Sequence, residues 1–122
     1  MIRYTHEHLW IRLDDGGTQA TAGITPHAQD TLGDIVFVEL PKPGLYTQDA
    51  VVGLVESTKT ASDLHMPVAG TIVVVNEVLR AQPELLNTDP LGEGWIFRLE
   101  CMSPDAFSTL MDAETYAAFT GA

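Results

Sequence analysis

Short runs of strand-forming residues, each followed by a turn sequence, occupy most of the first 100 residues. The runs are rich in β-branched and aromatic side chains, and glycine, proline or aspartate bounds several of them, a pattern typical of a β protein. The segment Asp14-Asp15-Gly16-Gly17 predicts the turn of a hairpin near the start of the chain. The pattern predicts strands over residues 9–13, 18–24, 35–40, 51–56, 71–75 and 95–99.

One of these runs recurs in a similar form. Residues 33–39 read Gly-Asp-Ile-Val-Phe-Val-Glu, and residues 70–76, which begin 37 positions later, read Gly-Thr-Ile-Val-Val-Val-Asn. A repeated strand of this kind suggests two similar halves that pack together. We therefore expect a mostly β fold, a small sandwich or flattened barrel made of two quasi-repeated halves, with short helices.

Helix-start sequences appear at two places. Thr25-Pro26 predicts an N-cap followed by proline at the first helical position, with a helix that runs to about Leu32 and ends at Gly33. After the last predicted strand, Ser103-Pro104 repeats this start, and residues 105–111 and about 112–119 predict two short helices.

We expect this helical tail, about residues 103–120, to cover one end of a β core formed by about residues 1–100, so that residues 1–122 make a single domain. The covering role is predicted by four large apolar or aromatic side chains that need burial: Phe107, Leu110, Tyr116 and Phe119.

The charge balance excludes several classes of partner. Six Lys and Arg against seventeen Asp and Glu give a net charge of −11, which argues against nucleic acid and against anionic membrane surfaces. The single cysteine, Cys101, excludes an intramolecular disulfide and a multi-thiolate metal site within one chain. No apolar run is long enough to span a membrane, and the first residues lack the apolar region of a signal peptide, so we expect a cytoplasmic protein.

The acidic chain contains only two lysines, Lys42 and Lys59. Lys42 lies between two prolines and reads as a loop residue. Lys59 follows a predicted strand and precedes the turn sequence Pro67-Val68-Ala69-Gly70, which places it at or near a hairpin connection. An exposed lysine there is a good acceptor for a covalent acyl group, although an ordinary solvated loop lysine would have the same sequence context.

The segment Glu56-Ser57-Thr58-Lys59-Thr60-Ala61-Ser62-Asp63, followed by Pro67-Val68-Ala69-Gly70, resembles the lipoyl-attachment motif of the glycine cleavage system H protein family. That family has Glu-Ser-Val-Lys-Ala-Ala/Thr-Ser-Asp and then Ser-Pro-Val-Ser-Gly. The resemblance covers essentially the whole chain, with further matching blocks at residues 4–10, 23–25 with 28–29, 32–41, 76–77, 83–85 with 87, 89–90 with 92–95, and 112–114 with 116.

The resemblance implies a lipoyl/biotinyl-like fold and a carrier that has no catalytic residues of its own. In this family lipoate is joined by an amide to a lysine and carries an aminomethyl group from glycine decarboxylase (P protein) to an aminomethyltransferase (T protein). Dihydrolipoyl dehydrogenase (L protein) then reoxidises the lipoyl group. A lipoate ligase or a lipoyl/octanoyl transferase attaches the lipoyl group to the lysine. The cofactor supplies the reactive chemistry, and the protein supplies attachment, presentation and shelter.

Carried over residue by residue, Lys59 is the lipoyl attachment site. Glu56 and Asp63 flank it and are expected to mark the site for the ligase or to contact the arm, although ordinary loop carboxylates would look the same in the sequence. The family's His-Glu-Trp near the start reads His8-Leu9-Trp10 here, so one acidic position is lost. If that carboxylate holds the cationic amine of the loaded arm elsewhere in the family, Glu7 is the candidate that substitutes for it.

The sequence leaves open some functions other than a carrier role in glycine cleavage. A relay role, in which the lipoyl group passes from Lys59 to other acceptor proteins, would use the same lysine. A biotin carrier normally has methionines beside the lysine, whereas Thr58 and Thr60 stand here. A lipoyl domain of the 2-oxoacid dehydrogenase type usually has Asp-Lys-Ala and lacks a matching helical tail. An intrinsic enzyme is a further class, for which we expect no turnover without partner proteins.

Three other groups of residues are candidates for chemistry. His6 and His8 are two residues apart, but with no third ligand nearby they read as histidines on a strand face, and we expect no metal site. Cys101, just past a strand, reads as a half-buried residue and not as a nucleophile. Gly92-Glu93-Gly94 lacks the features of a phosphate loop and predicts a tight turn into Trp95.

Overall fold

Two antiparallel β-sheets and several short helices make up the computed structural model, which describes residues 1–14, 18–101 and 104–121. In chain order the elements are β1 (Ile2–Tyr4), β2 (Leu9–Leu13), β3 (Gln19–Ile24), α1 (Pro26–Leu32), β4 (Ile35–Glu39), β5 (Gly44–Tyr46), β6 (Val51–Ser57), β7 (Ala61–His65), β8 (Gly70–Val75), α2 (Val78–Ala81), α3 (Leu85–Thr88), β9 (Phe97–Cys101), α4 (Pro104–Ser108) and α5 (Ala113–Thr120).

The larger sheet has the strand order β1-β2-β3-β9-β8-β5, and the smaller one has the order β4-β6-β7. Every pairing is antiparallel, and the sheets do not close into a barrel. Both sheets contribute to one buried cluster, which includes Ile11, Ile72, Phe97 and Leu99 from the larger sheet and Val38, Val55 and Leu64 from the smaller one. The expected mostly β architecture with short helices is confirmed.

The six predicted strands are all present. The last one begins at Phe97 and not at Trp95, because the Trp95 amide donates to the Gly92 carbonyl over 3.1 Å and closes a turn there. This also confirms the turn predicted for residues 92–94. The hairpin turn predicted at 14–17 lies mostly outside the described residues, although Asp14 N donates to Gln19 O over 2.8 Å beside it.

Three strands were not predicted: β1, β5 and β7. The strands β1 and β5 have three residues each, which is too short for a recognisable alternation. In β7 only Leu64 is a buried apolar side chain, and the first three residues are exposed, so its sequence reads as a loop. It is nevertheless an edge strand of the smaller sheet, held by pairing with β6.

Helix α1 has the predicted start and end. The Thr25 hydroxyl accepts from Ala28 N over 3.2 Å as the N-cap, Pro26 occupies the first turn, and Gly33 ends the helix with a φ of 81°. That backbone conformation strongly favours glycine.

The helical tail is confirmed, with two corrections. The helix predicted over residues 105–111 ends at Ser108, because Met111 pairs with Tyr4 through two backbone hydrogen bonds of 2.8 and 3.0 Å. Phe107 and Tyr116 are buried as expected, whereas Phe119 is 47% exposed, so its predicted burial is wrong. The cap predicted at Ser103 lies outside the described residues.

The two repeated segments lie in different sheets, in β4 and β8. Their first glycines serve different purposes: Gly33 has a positive φ, whereas Gly70 packs against the Glu100 carbonyl, where a Cβ would collide. Within the part of the chain that the structure describes, no helix is long and apolar enough to cross a membrane.

Candidate functional site

Lys59 lies at the tip of the β6–β7 hairpin, with its side chain exposed. The strands pair as far as Glu56 and Ala61, and Ser57 N then donates to Thr60 O over 2.7 Å to close the turn. The predicted position at a hairpin connection is confirmed.

The Ser57 side chain fixes the backbone of this turn. Its hydroxyl oxygen accepts from Lys59 N over 3.2 Å and from Thr60 N over 3.1 Å, and the hydroxyl donates to Thr60 O over 3.1 Å. Ser57 is only 6% exposed, so these bonds satisfy a buried hydroxyl. The backbone at Lys59 is therefore held while its side chain projects outward.

The segment that links α1 to β4 forms a shelf against this turn. Thr58 N donates to Asp34 O over 3.0 Å, and a Cβ placed on Gly33 would lie 3.1 Å from Lys59 Cε and 3.6 Å from its Nζ. We call residues 33–35 the shelf. The missing side chain at Gly33 leaves the space that the lysine methylenes occupy.

Asn87 of α3 holds the shelf in place. Its amide nitrogen donates to Gly33 O over 2.8 Å, and its amide oxygen accepts from Ile35 N over 2.8 Å. Two hydrogen bonds from one side chain fix both ends of the shelf. A residue distant in sequence thus determines where the lysine stem can lie.

The two flanking carboxylates belong to strands and not to a loop. Glu56 lies opposite Phe37 on one side and Ala61 on the other, whereas Asp63 lies opposite Leu54. Because side chains alternate along a strand, Glu56 and Asp63 share one face of the smaller sheet, and both are exposed. No ion pair formed by the described residues includes Lys59, Glu56 or Asp63.

A cleft of about 160 Å³ borders the lysine turn. One wall is a face of α1, where residues 28, 31 and 32 follow helical spacing, and the shelf begins directly after this wall. Ser62 of β7 contributes a second wall, three residues after Lys59. Glu7, His8 and His27 complete the lining. We call this space the arm cleft.

The model of the family described as "Glycine cleavage H-protein" matches residues 2–122. The chain belongs to this family of lipoyl carriers. It is 54% identical over 114 residues to the glycine cleavage system H protein of Methylacidiphilum infernorum. This match covers 93% of this chain and 88% of that relative. It is 49% identical over 118 residues to that of Psychrobacter sp. (strain PRwf-1), with coverages of 96% and 93%.

The fold agrees with a crystal structure of a glycine cleavage system H protein from Mycobacterium marinum. The TM-score is 0.89 at 36% identity, and the match covers 99% of this chain and 97% of that one. The family resemblance and the lipoyl-carrier type of fold are therefore both confirmed.

Leu9, the position at which this chain departs from the H-protein motif, is not among the described residues that line the arm cleft. Leu9 is 1% exposed and packs in the core, so it offers no charge. Glu7, two residues earlier, is exposed and lines the cleft, and of the described lining residues it is the one carboxylate. Its Oε2 lies 3.7 Å from His65 Nδ1. Glu7 also lines a larger groove of about 350 Å³.

The expectation that His6 and His8 lie on a strand face is wrong. Both lie in the turn between β1 and β2, where His8 has a φ of 64°. Burial, and then the neighbouring His27, lower the pKa of His8, while Glu7 opposes the shift. The described residues contain no group of three side chains suited to a metal ion.

The remaining candidates lie away from the lysine turn. Cys101 is the last residue of β9 and is half-buried, and burial raises the pKa of its thiol, as suits a residue that is not a nucleophile. Lys42 is exposed in the β4–β5 connection.

The residues that frame Lys59 are not predicted by the sequence pattern. At Gly33 the pattern indicates only the end of a helix, and it indicates no role for Ser57 or Asn87. A serine two residues before a turn lysine is a recognisable cue, because serine side chains bond to nearby backbone in turns. The contacts from Gly33 and Asn87 span long sequence separations and have no such local cue.

Proposed function

We propose that this chain carries lipoate as an amide on Lys59 Nζ and, as one carrier domain in the cytoplasm, presents it in turn to three enzymes of glycine cleavage. These partners are glycine decarboxylase, the aminomethyltransferase and dihydrolipoyl dehydrogenase. The chain itself is the non-catalytic carrier component. The observation that supports this most directly is an exposed lysine on a turn whose backbone is fixed by Ser57 and by the shelf.

The residues present fit the lipoyl group. Lys59 offers a primary amine at an exposed hairpin tip, and Gly33 leaves room beneath the lysine methylenes. When bound, lipoate supplies a dithiolane that accepts and releases the aminomethyl group and two electrons. The chain contributes a fixed point of attachment, from which a long flexible arm can reach different active sites.

The arm cleft is the shelter that we propose for the loaded arm. Ala28 and Leu32 offer apolar surface, and Glu7 adds a carboxylate for a cationic amine. Glu7 thus supplies the carboxylate for the cationic amine, in place of the family's Glu at the position where this chain has Leu9.

Glu56 and Asp63 are proposed to guide the attaching enzyme. They project from one exposed sheet face on either side of the hairpin, and the described residues offer them no ion pair. A lipoate ligase or lipoyl/octanoyl transferase with a basic rim would be oriented by these charges.

The net charge of −11 suits transient docking to several enzymes. Electrostatic steering gives fast association without a large apolar interface. We expect the affinity for each partner enzyme to fall as ionic strength rises, and association that does not change with salt would contradict this mode of docking.

The test of the proposal is the intact mass of the protein purified from lipoate-replete cells, followed by peptide mapping. We expect one lipoyl group, located on Lys59. A protein that stays wholly unmodified at Lys59 under these conditions would refute the proposal.

A further inference from the structure

A chain of three hydrogen-bonding groups links helix α5 to the arm cleft. His8 Nδ1 lies 2.8 Å from the Tyr116 hydroxyl, and the same hydroxyl lies 2.8 Å from Thr25 Oγ1. Thr25 Oγ1 in turn accepts from Ala28 N as the N-cap of α1. His8 lines the cleft, so the hydroxyl of a residue in α5 contacts its wall.

The direction of these hydrogen bonds follows from the needs of Thr25. Its side chain is buried, with the residue 1% exposed, and its oxygen already accepts from the α1 backbone. The hydroxyl proton needs an acceptor, and among the described residues Tyr116 is the one within reach. Thr25 therefore donates to Tyr116, Tyr116 donates to His8 Nδ1, and Nδ1 has no proton of its own.

The surroundings of His8 favour the same neutral form. Burial lowers its pKa first, then the His27 imidazole, whose ring centroid lies 4.7 Å away, and His6 adds to this effect. Glu7 is the one facing group that raises it. With Nδ1 accepting from Tyr116, the proton of the neutral ring is on Nε2.

We propose that Tyr116 is a positioning residue, whose hydroxyl holds His8 as a neutral imidazole protonated on Nε2 in the wall of the arm cleft. This leaves the negative charge of Glu7 without a cationic neighbour at position 8, so the cleft favours a cationic guest over a neutral one. The selectivity part rests on the proposed function, whereas the state of His8 does not.

The ring of Tyr116 is held independently of its hydroxyl. It stacks on Tyr4 with a centroid distance of 4.6 Å and an angle of 10°. The N-cap of α5 is Asp112, whose carboxylate accepts from Thr115 N over 2.8 Å. Tyr116→Phe is therefore expected to keep the stack and the fold while removing only the hydroxyl contacts.

The arrangement is sensitive to pH in one direction. The folded-state pKa of His8 lies below its ordinary value, so the neutral form dominates at higher pH. As the pH falls through that folded value, Nδ1 gains a proton, becomes a donor and can no longer accept from Tyr116. The contribution of neutral His8 to folding stability is present above the ordinary histidine pKa. It is lost as the pH falls through the lower folded-state pKa.

The first test uses the unmodified protein and NMR of the histidine ring nitrogens. We expect His8 to be the Nε2–H tautomer, and we expect Tyr116→Phe to raise its pKa because the donor to Nδ1 is gone. Tyr4→Phe, the same change on the stacked partner ring, should leave the His8 pKa as it is. An Nδ1–H tautomer in the unaltered protein, or an unchanged pKa in Tyr116→Phe, would overturn the proposal.

The second test uses holo-protein charged from glycine by the decarboxylase, with ammonia release to solvent as the readout near the pH at which His8 titrates. We expect ammonia release to be several-fold faster from Tyr116→Phe than from Tyr4→Phe. Equal rates would refute the preference of the cleft for a cationic guest. If the unaltered protein releases ammonia as fast as a small charged lipoyl compound, the sheltering cleft of the proposed function fails. The NMR result still decides the state of His8 in that case.

Discussion

The two lysines of this chain both lie in exposed connections between strands, Lys59 within the smaller sheet and Lys42 between the two sheets, but in very different surroundings. The Lys59 turn is fixed by the Ser57 hydroxyl and rests on the shelf at Gly33. Lys42 lies between two prolines in the β4–β5 connection, where its carbonyl accepts from the Tyr46 hydroxyl over 2.7 Å. Exposure and charge are shared, so the proposed modification site differs from Lys42 in the Ser57 hydroxyl and the shelf that contact it.

The largest expected effect tests the difference between the lysines directly. Lys59→Arg keeps the charge and removes the primary amine, so we expect complete loss of lipoylation, measured by intact mass after expression with lipoate. Lys42→Arg is the matched control and should remain fully modified. Lipoylation that moves to Lys42 in the first variant would break the comparison.

The shelf provides the second test. Gly33→Ala places a side chain in a left-handed backbone conformation and 3.1 Å from Lys59 Cε. We expect a loss of about 1–2 kcal/mol in unfolding free energy, measured by urea denaturation, and a lower initial rate of lipoylation.

Gly121→Ala is the control for the shelf, because Gly121 has a φ of 76° and nothing lies within 4 Å of the added Cβ. It also places a side chain at a positive φ, but away from the lysine, so the rate of lipoylation should not change. An equal loss of rate in both variants would assign the effect to stability and not to the shelf.

The third test loosens the turn without touching the shelf. Ser57→Ala leaves the amides of Lys59 and Thr60 without their side-chain acceptor. We expect a loss of about 1 kcal/mol in stability and a slower ligase reaction, because the turn samples more conformations. Ser108→Ala removes a hydroxyl that bonds Asp105 O on the exposed side of α4 and should affect neither measurement.

The smallest effect is expected at the two carboxylates. Glu56→Gln and Asp63→Asn lie on an exposed face, so we expect stability changes within about 0.5 kcal/mol. The rate of lipoylation should fall at low salt, and the difference from the unaltered protein should shrink as salt rises. Glu84→Gln, at the exposed start of α3, is the control. Salt-independent rates in the two variants would exclude an electrostatic role.

Local patterns in the sequence predict the strands that have β-branched runs and they predict α1, because capping and turn residues act over a few positions. Such patterns do not predict β7, because its polar residues form a strand only through pairing with β6. The position of Lys59 was predictable from its turn context. The shelf was not, because the contact of Gly33 with Lys59 depends on tertiary packing.

The same limit explains the errors at the N-terminal turn and in the tail. His8 adopts a positive φ that no short-range pattern indicates, and Phe119 lies beside His6 with a centroid distance of 4.9 Å while staying half exposed. Both outcomes depend on how α5 meets the β1–β2 turn.

The hydrogen bonds of Asn87 have a consequence for the order of events during synthesis. The shelf and the lysine turn leave the ribosome first, but the side chain that fixes Gly33 O and Ile35 N is 28 residues further along than Lys59. A nascent or truncated chain that ends before Asn87 lacks those bonds. Acylation of Lys59 by an enzyme that recognises this geometry would then report that the chain has extended past Asn87 and that Asn87 has packed on the shelf.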